Sequence, residues 1–308
     1  MKSVYDFLKR NNIEHYCDFD VSVLSAIKIG SVCKLVIFPK NVSELTKVLS
    51  AFYVSKIYCR VIGNSSNVLF VDRISYPLIF TSKMKDEIEV RGNFVSVSSG
   101  MLLSKFADFL RKNSFGGFEG LVNIPGTIGG AVMTNAGAFG QSVSDNIVKI
   151  KVFYEGKILE LTKNEIKFGY HFTNLSSFIV LSVTFWFENK NEYDIINLSN
   201  KFAYLRSKTQ PSGLSLGSVF RRINSKSAGF YIERAGLKGM RVGGVFVSSK
   251  HSNFFINDSS GTVFDFLSLC SVVSTAVEKQ FGICLIPEIE QIGDKDEINF
   301  RLSHPFKI

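Results

Sequence analysis

The feature that most constrains the fold of this chain is a concentration of glycine in one short segment. Eight of its 24 glycines lie between Gly116 and Gly140. Each glycine inside a helix or strand costs about 0.5–1 kcal/mol relative to alanine, so this density favours tight turns or close backbone approach to a ligand. The polar residues of the segment are few and mostly neutral, which leaves backbone N–H groups as donors to an anion. We predict a phosphate-bearing cofactor held mainly by main chain; the alternative is a set of turns without a ligand.

The segment matches neither of the two common nucleotide-binding loops. It lacks the Gly-Lys-Ser/Thr ending of the P-loop and the G-x-G-x-x-G pattern with its downstream acid. A second polar loop, Gly63-Asn64-Ser65-Ser66-Asn67, lies between the strand-like runs Ile57–Ile62 and Val68–Val71. Alone this loop is an ordinary turn. Two donor-rich loops in one half of the chain favour a dinucleotide with its diphosphate between them.

Eight short motifs follow one another in a characteristic order. They are Lys28-Ile29-Gly30, the loop 63–67, Ile124–Ala131, Asn135–Gly140, Gly217–Phe220, Ala235–Gly239, His251–Phe254 and Pro287-Glu288. This order resembles the UDP-N-acetylenolpyruvoylglucosamine reductases, bacterial flavoenzymes of cell-wall precursor synthesis, from about residue 20 to 293. The chain of 308 residues, without an extra tyrosine-bearing insertion, is similar to the shorter, second type of that family.

The resemblance implies an α+β chain with two functional parts. Residues 1–192 would form a FAD-binding region of the vanillyl-alcohol-oxidase (PCMH) type, in two subdomains of about 1–72 and 73–192. Residues 193–308 would form an α+β substrate-binding domain, whose C-terminal segment carries Glu288 back to the active site. The implied reaction is NADPH-dependent reduction of UDP-N-acetylglucosamine enolpyruvate to UDP-N-acetylmuramate through FAD. We expect the FAD to be noncovalent, because neither glycine-containing loop has a Cys or His to tether it.

The resemblance also assigns binding residues. The cofactor-binding set is Gly63, Asn64, Ser65, Ser66, Asn67, Pro125, Gly126, Thr127, Gly129, Gly130, Asn135, Gly137 and Ala138. The substrate-binding set is Arg206, Arg222 and Lys238. Three positions depart mildly from the family: Ser65 and Asn123 stand where glycine is usual, and Arg222-Ile223 replaces Asn-Pro.

Three residues are the candidate catalytic groups. Ser218 matches the family's Gly-Ser-x-Phe serine and would protonate C2 of the substrate; the alternative is a serine that caps a turn after Gly217. Glu288 matches the family's C-terminal acid; the alternative is an outward-facing edge residue. His171 follows Tyr170 where the family has arginine, and a histidine is charged only below about pH 6.5. The alternative for His171 is a loop residue far from the chemistry.

Composition excludes little by itself. The net charge of +9 suggests nucleic-acid binding, but the basic residues are spread along the chain without a known recognition motif. Five scattered cysteines without a CxxC or metal-ligand spacing predict reduced, buried thiols in a cytoplasm. No apolar run reaches the roughly 18 residues of a membrane helix, and the first residues are charged and amphipathic rather than a signal peptide. We expect a cytoplasmic monomer without metal, nucleic-acid or membrane partners. A flavin oxidase of the same fold and a nucleic-acid-binding protein are the alternatives.

One motif points to a different chemistry. Gly213-Leu214-Ser215-Leu216-Gly217 matches the G-x-S-x-G elbow of serine hydrolases. That elbow needs a strand directly before it and a helix directly after it. Lys208–Ser212 is not strand-like, so we expect no hydrolase.

Periodicity predicts the main elements. Helices are expected over Val4–Arg10, Val42–Phe52, Leu102–Leu110, Ile195–Arg206, Ala228–Ala235 and Val263–Phe281. Strands are expected over Leu78–Phe80, Phe94–Val97, Ile147–Phe153, Lys157–Leu161, Phe178–Phe187, Val219-Phe220, Val242–Ser248 and Phe254–Asn257. The polar run Glu188–Glu192 is expected to be a linker.

Overall fold

The structure is a computed structural model that describes residues 2–223 and 226–294. These residues mix helices with parallel and antiparallel strands, which confirms the α+β class. The helices α1 to α7 are Lys2–Arg10, Val42–Val54, Leu103–Lys112, Ile128–Thr134, Glu192–Thr209, Ala228–Arg234 and Val263–Phe281. The strands β1 to β20 are Glu14–Asp20, Val32–Phe38, Arg60–Ile62, Val68–Phe70, Leu78–Phe80, Ile88–Arg91, Phe94–Ser98, Phe115–Gly116, Gly137–Ala138, Gln141–Ser142, Ile147–Tyr154, Lys157–Thr162, Phe168–Gly169, Phe172–Thr173, Ile179–Trp186, Glu188–Asn189, Arg241–Val242, Val245–Val247, Phe255–Asn257 and Glu290–Ile292.

The chain folds into two compact units, each made of several stretches of sequence. Unit 1 contains residues 1–16, 36–64 and 77–206, and unit 2 contains residues 17–35, 65–76 and those after 206. The second unit thus includes residues 17–35 and 65–76, which the predicted functional boundaries place in the FAD-binding region. Those functional boundaries stay a prediction, and residues 295–308 of the predicted substrate domain lie outside the described residues.

Unit 1 is built around a five-stranded antiparallel sheet in the order β12-β11-β15-β7-β6. The three inner strands β11, β15 and β7 carry the buried residues, which pack in one core with α3 and α4. Phe106 of α3 lies at the centre, with its ring 5.4 Å from Phe118 and 5.3 Å from Phe185. A second, parallel arrangement pairs β5 with both β2 and β3.

Unit 2 has its own core around the long helix α7. Thr262 and Asp265 form a capping box at the start of α7, and Gly282 ends it in the left-handed conformation at φ 66°. The antiparallel sheet β17-β18-β19 packs against this helix. The short strands β4 and β20 pair in parallel, with Glu290 opposite Val68.

Two sequence expectations are wrong in instructive ways. The glycine-rich segment contains a helix, α4, because Gly129 and Gly130 fall in its first turn, where Thr127 caps it. The run Glu188–Glu192 is not a linker: β16 pairs with β8, and α5 begins at Glu192. A two-residue polar strand of this kind is fixed by its partner rather than by its own pattern.

Two further expectations need refinement. The run Val242–Ser248 is a hairpin rather than one strand, since Val242 pairs with Val245 across Gly243-Gly244. The five cysteines are free, but Cys17 and Cys284 are exposed, so the expectation of buried thiols is wrong for these two. In the part of the chain that the structure describes, no helix has the length and apolar character to cross a membrane.

Candidate active site

Three extended segments of unit 2 lie side by side and carry two of the candidate catalytic residues. The N–H of Glu288 donates to the carbonyl of Val219 at 2.8 Å. The N–H of Val219 donates to the carbonyl of Asn253 at 2.9 Å. The Ser218 segment, residues 217–221, therefore lies between the segments of Glu288 and Asn253. The structure brings Ser218 and Glu288 onto neighbouring stretches of backbone.

The side chain of Asn253 fixes the Ser218 segment. Its Nδ2 donates to the carbonyl of Phe220 at 2.8 Å, and its Oδ1 accepts from the N–H of Phe220 at 3.0 Å. Asn253 is 4% exposed and Phe220 is 1% exposed, so these bonds satisfy backbone groups that water does not reach. The buried side chain of Asn253 thus fixes the backbone of Phe220, which lies two residues after Ser218.

Asn67, at the end of the polar loop 63–67, contacts the Glu288 segment within unit 2. Asn67 Nδ2 donates to the carbonyl of Glu288 at 3.3 Å, and the N–H of Glu290 donates to the carbonyl of Asn67 at 2.9 Å. Asn67 therefore holds the backbone at Glu288 and Glu290. Its role as a cofactor-binding residue stays a prediction.

The surroundings of Glu288 change the pKa of its carboxyl group. The carboxyl group is half-buried, and this desolvation raises its pKa to about 7, although the positive charge of Arg221 lowers the pKa in part. A carboxyl group with this pKa is partly protonated near neutral pH and can donate a proton. Burial also argues against the alternative of a simple outward-facing edge residue.

Ser218 follows a turn that requires glycine. Gly217 has φ 77°, a left-handed conformation that L residues rarely adopt, while a Cβ there would meet nothing within 4 Å. Ser218 itself is half-buried and pairs with Phe254 on the antiparallel neighbour. The backbone on both sides of the hydroxyl group is thus fixed.

The three predicted substrate-binding cations have different surroundings. In unit 2, Arg222 is exposed, and Lys238 forms an ion pair with Glu233 at 2.7 Å. Arg206 is half-buried near the end of α5 in unit 1, where its guanidinium carbon lies 5.6 Å from the ring centre of Phe139. Their contacts with a substrate stay predictions.

In unit 1, the start of α4 uses its backbone donors within the protein. The first three N–H groups of the helix have protein acceptors: Ile128 donates to the Met101 carbonyl at 2.8 Å, Gly129 to the Ser99 carbonyl at 2.8 Å and Gly130 to Thr127 Oγ1 at 3.3 Å. A phosphate at this helix start would compete with these acceptors. The N–H groups of Gly129 and Gly130 thus already have acceptors within the protein, and their role in binding an anion stays a prediction.

Gly63, another predicted cofactor residue of unit 1, contacts Thr127. Gly63 lies directly against the Thr127 side chain, so any Cβ at Gly63 would collide with it. Pro125 and Gly126 precede Thr127, and Gly126 has φ 146°. Gly137-Ala138 forms β9, which pairs with β10. The contact between Gly63 and Thr127 connects the polar loop 63–67 to the glycine-rich segment.

His171 lies at the tip of a hairpin that is attached to the end of α4. Tyr170 and His171 connect β13 to β14, and His171 has φ 47°. Asn135 Nδ2 donates to the Gly169 carbonyl at 2.9 Å, and Thr173 Oγ1 donates to the carbonyl at the end of α4 at 3.0 Å. The predicted cofactor residue Asn135 thus positions the hairpin of His171.

Comparisons with known proteins agree with the motif order. Residues 33–162 match the family model described as FAD binding domain, and residues 210–292 match the one described as UDP-N-acetylenolpyruvoylglucosamine reductase, C-terminal domain. The UDP-N-acetylenolpyruvoylglucosamine reductase of Caldicellulosiruptor saccharolyticus is 34% identical over 302 residues, covering 96% of this chain and 97% of that protein. That of Lactococcus lactis subsp. cremoris is 34% identical over 272 residues, with coverage of 87% and 91%.

The chain belongs to the UDP-N-acetylenolpyruvoylglucosamine reductase family. A solved reductase of this family, from Thermus caldophilus, superimposes with a TM-score of 0.77 at 25% identity and covers 91% of this chain and 98% of its own. These findings confirm the predicted resemblance.

Membership of this family also argues against the serine-hydrolase interpretation of the G-x-S-x-G motif. The G-x-S-x-G run at residues 213–217 follows the end of α5 at Thr209 and leads into the extended Ser218 segment. A hydrolase elbow has a strand before the serine and a helix after it. The structure has neither arrangement, as expected from the sequence.

Sequence reasoning missed two residues of this reductase site. Asn253 appeared only as a member of a motif, although an asparagine followed by an apolar strand is a signal for a buried polar contact. Arg221 was not singled out from the sequence, yet its charge lowers the pKa of Glu288. Both roles depend on contacts between segments far apart in sequence.

Proposed function

We propose that this protein reduces UDP-N-acetylglucosamine enolpyruvate to UDP-N-acetylmuramate with NADPH, through noncovalent FAD, as a step of peptidoglycan precursor synthesis. Family membership supports the reaction. The observation that carries the proposal is the pairing of the Ser218 segment with Glu288, whose carboxyl group has a pKa near 7. Two proton-donating groups on neighbouring stretches of backbone suit a reaction that ends with protonation of carbon.

The residues of the predicted cofactor segments fit FAD. Two of them bear a buried polar atom without a hydrogen-bond partner among the described residues: Ser65 Oγ and Asn135 Oδ1. Buried polar atoms of this kind are normally paired, so these two are groups of the cofactor segments that the described residues leave unsatisfied. Bound FAD would supply the hydride chemistry, from NADPH to C3 of the enolpyruvyl group.

The chain itself supplies the proton and the charge stabilisation. Hydride addition at C3 leaves negative charge at C2 and on the adjacent carboxylate, and one proton added to C2 completes the lactyl ether. We assign that proton to the Ser218 hydroxyl group and the second acidic role to Glu288. Arg222, Lys238 and Arg206 are the proposed partners of the anionic UDP-sugar.

His171 is proposed to stabilise the developing negative charge in its protonated form. It stands where the family has an arginine, which would be charged at every working pH. His171→Arg is expected to raise the rate of flavin reoxidation at pH 8 and to flatten its fall with rising pH. Stopped-flow profiles from pH 5.5 to 9 that superimpose for the wild type, His171→Arg and His171→Ala would show that His171 takes no part.

We further propose that the protein works as a monomer in the cytoplasm. The five cysteines, all within the described residues, are free, which supports a reducing compartment. Sedimentation of the holoenzyme measures the oligomeric state.

Anaerobic spectroscopy tests the proposed reaction. The purified protein is expected to absorb near 450 nm, to lose this band on addition of NADPH, and to regain it when the UDP-enolpyruvyl sugar is added. A protein that binds no flavin contradicts the proposal. A reduced flavin that oxygen reoxidises but the UDP-enolpyruvyl sugar does not would point instead to an oxidase of the same fold.

A further inference from the structure

His251 is a half-buried titratable residue that the proposed reaction does not use. It lies in the turn between β18 and β19, in the same unit as Ser218. Its ring packs against the backbone of α6, since a Cβ built at Gly229 would lie 3.4 Å from His251 Cε1. The ring centre also lies 4.8 Å from that of Phe254, in a T-shaped arrangement. The imidazole thus contacts both α6 and the residue that pairs with Ser218.

The hydrogen bond of the ring fixes its protonation state. The N–H of Asn253 donates to His251 Nδ1 at 3.3 Å. A backbone N–H can only donate, so Nδ1 keeps its lone pair and the imidazole is neutral, with its proton on Nε2. A protonated ring would carry a hydrogen on both nitrogens and would lose this bond.

The same bond reaches the Ser218 segment through Asn253. The carbonyl of Asn253 accepts from the N–H of Val219 at 2.9 Å, and its side chain forms two hydrogen bonds with the backbone of Phe220. His251 therefore holds Asn253 at its N–H, while the carbonyl and the side chain of Asn253 hold the two residues after Ser218.

The other amides of this turn are satisfied without the ring. Ser248 Oγ accepts from the N–H groups of Lys250 at 3.1 Å and His251 at 3.3 Å. The N–H of Phe254 donates to the His251 carbonyl at 2.9 Å. The imidazole thus serves the N–H of Asn253 alone, and because Asn253 is buried, water is a poor substitute for it.

The surroundings of His251 favour the neutral ring. Burial lowers the pKa of His251 below its usual value of 6.5. A backbone hydrogen bond and the negative charge of Glu233 oppose this shift, and the positive charge of Lys238 adds to it. Glu233 and Lys238 pair with each other at 2.7 Å, and Lys250 of the same turn donates through Nζ to the Ser207 carbonyl at 2.5 Å. The neutral form is therefore the main one at pH 7 and is lost as the pH falls.

We propose that neutral His251 is a positioning residue for Ser218: it holds Asn253, and through Asn253 it fixes the backbone that carries the proton-donating hydroxyl group. The proposal rests on the proposed function, since Ser218 is the proton donor assigned there. It adds a requirement for a neutral histidine to a reaction in which the protonated forms of Glu288 and His171 are proposed to help.

The kinetic test compares His251→Asn and His251→Leu with the wild type in anaerobic stopped-flow experiments. Asparagine places an amide oxygen near the position of Nδ1 and accepts from the same N–H without titrating, whereas leucine removes the acceptor. At pH 7, reoxidation by the UDP-enolpyruvyl sugar is expected to slow about 3- to 10-fold in His251→Leu, the effect of one lost hydrogen bond. Flavin reduction by NADPH is expected to be unchanged, and His251→Asn is expected to restore reoxidation.

The pH dependence isolates the titration of His251. The reoxidation rate of His251→Asn divided by that of the wild type is expected to rise as the pH falls below 6.5, because only the wild-type ring becomes protonated. Glu288 and His171 are present in both proteins, so their contributions cancel in this ratio. His15→Asn is the matched control: His15 is also half-buried, its Nδ1 lies 2.8 Å from the Ile13 carbonyl oxygen in unit 1, and its ratio is expected to stay constant.

A second measurement does not depend on the reaction. The amides of Val219 and Phe220 donate to the carbonyl and the side chain of Asn253, so their hydrogen exchange reports whether Asn253 is held in place. At one fixed pH, exchange at these two amides is expected to be faster in His251→Leu than in the wild type or His251→Asn.

Three results would overturn the proposal. They are unchanged exchange at the Val219 and Phe220 amides in His251→Leu, an equal loss in both half-reactions of that variant, and a His251→Asn ratio that does not change with pH. A wild-type protein whose reduced flavin is not reoxidised by the UDP-enolpyruvyl sugar would instead contradict the proposed function, and the exchange measurement would still decide whether His251 holds the Ser218 segment.

Discussion

The start of α4, within the glycine-rich segment of unit 1, and the residues Ser65 and Glu288 of unit 2 use their polar groups in opposite ways. At the start of α4, the first backbone N–H groups have acceptors within the protein. In unit 2, Ser65 Oγ has no partner in the described residues, and burial raises the pKa of Glu288 to about 7. The first region is arranged for stability, and the second keeps groups whose arrangement costs stability, as active sites commonly do.

Close packing explains many glycines of the first region. A Cβ at Gly120 would lie 2.7 Å from the Ala138 carbonyl oxygen, and one at Gly137 would lie 2.8 Å from the Gln141 carbonyl oxygen. Glycine density in a sequence therefore marks close backbone contacts as well as ligand loops.

The largest expected effect is the loss of stability when the Asn253 side chain, which holds the Ser218 segment, is removed. Asn253→Ala leaves the buried N–H and carbonyl of Phe220 unpaired, which should lower the free energy of unfolding by about 2–5 kcal/mol. Urea denaturation measures this loss. Asn113→Ala, which removes an exposed side-chain bond to a helix carbonyl, is the control and should cost less than about 0.5 kcal/mol.

A loss below about 1 kcal/mol in Asn253→Ala would weaken the comparison, because the Ser218 segment would then be held without its buried clamp.

A pair of neighbouring glycines tests the packing of the first region. A Cβ at Gly129 would lie 2.9 Å from Ser99 Cβ, so Gly129→Ala should cost about 1–3 kcal/mol of stability even without flavin. A Cβ at Gly130 would meet its nearest atom at 3.4 Å, so Gly130→Ala should instead gain about 0.5–1 kcal/mol in the helix. Thermal unfolding of both flavin-free variants measures the difference. Equal effects of the two substitutions would refute the packing explanation.

A stability effect smaller than that of Asn253→Ala tests what the burial of the Glu288 carboxyl group costs. Because the pKa of Glu288 rises from 4.5 to about 7 on folding, the folded protein binds the proton more tightly. Stability contributed by the protonated acid is therefore present below about pH 4.5 and is lost as pH rises through about 7. Glu288→Gln should be more stable than the wild type at pH 8, by about 1–2 kcal/mol after allowance for partial exposure.

The same substitution should have little effect on stability at pH 4. Denaturation curves at the two pH values measure both differences, and a Glu288→Gln variant less stable than the wild type at pH 8 would mean that the carboxylate is stabilising.

Local sequence signals predicted much of the fold. The capping box at Thr262 and the terminal Gly282 fixed the bounds of α7 at Val263–Phe281, as the sequence analysis expected. The helix α4 escaped prediction, because its glycines lower helix propensity while contacts with Ser99 stabilise its first turn. Short elements such as β16 depend in the same way on their partners.

The candidate site likewise combines residues that local motifs predict with contacts that they do not. Ser218 and Glu288 were identified through short motifs, but their adjacency depends on backbone bonds to Val219. The raised pKa of Glu288 and the clamp by Asn253 follow from burial, which no local pattern specifies. The contact of Asn135 with the His171 hairpin likewise joins residues 34 positions apart.

The most direct test of this account is the pair of half-reactions of Ser218→Ala in anaerobic stopped-flow experiments. If Ser218 protonates C2, flavin reduction by NADPH should stay within about twofold of the wild type, while reoxidation by the UDP-enolpyruvyl sugar should slow by about 100-fold or more. Glu288→Gln should show the same selective loss. An equal loss in both half-reactions, or a normal rate of reoxidation, would contradict the assignment of Ser218 as the proton donor.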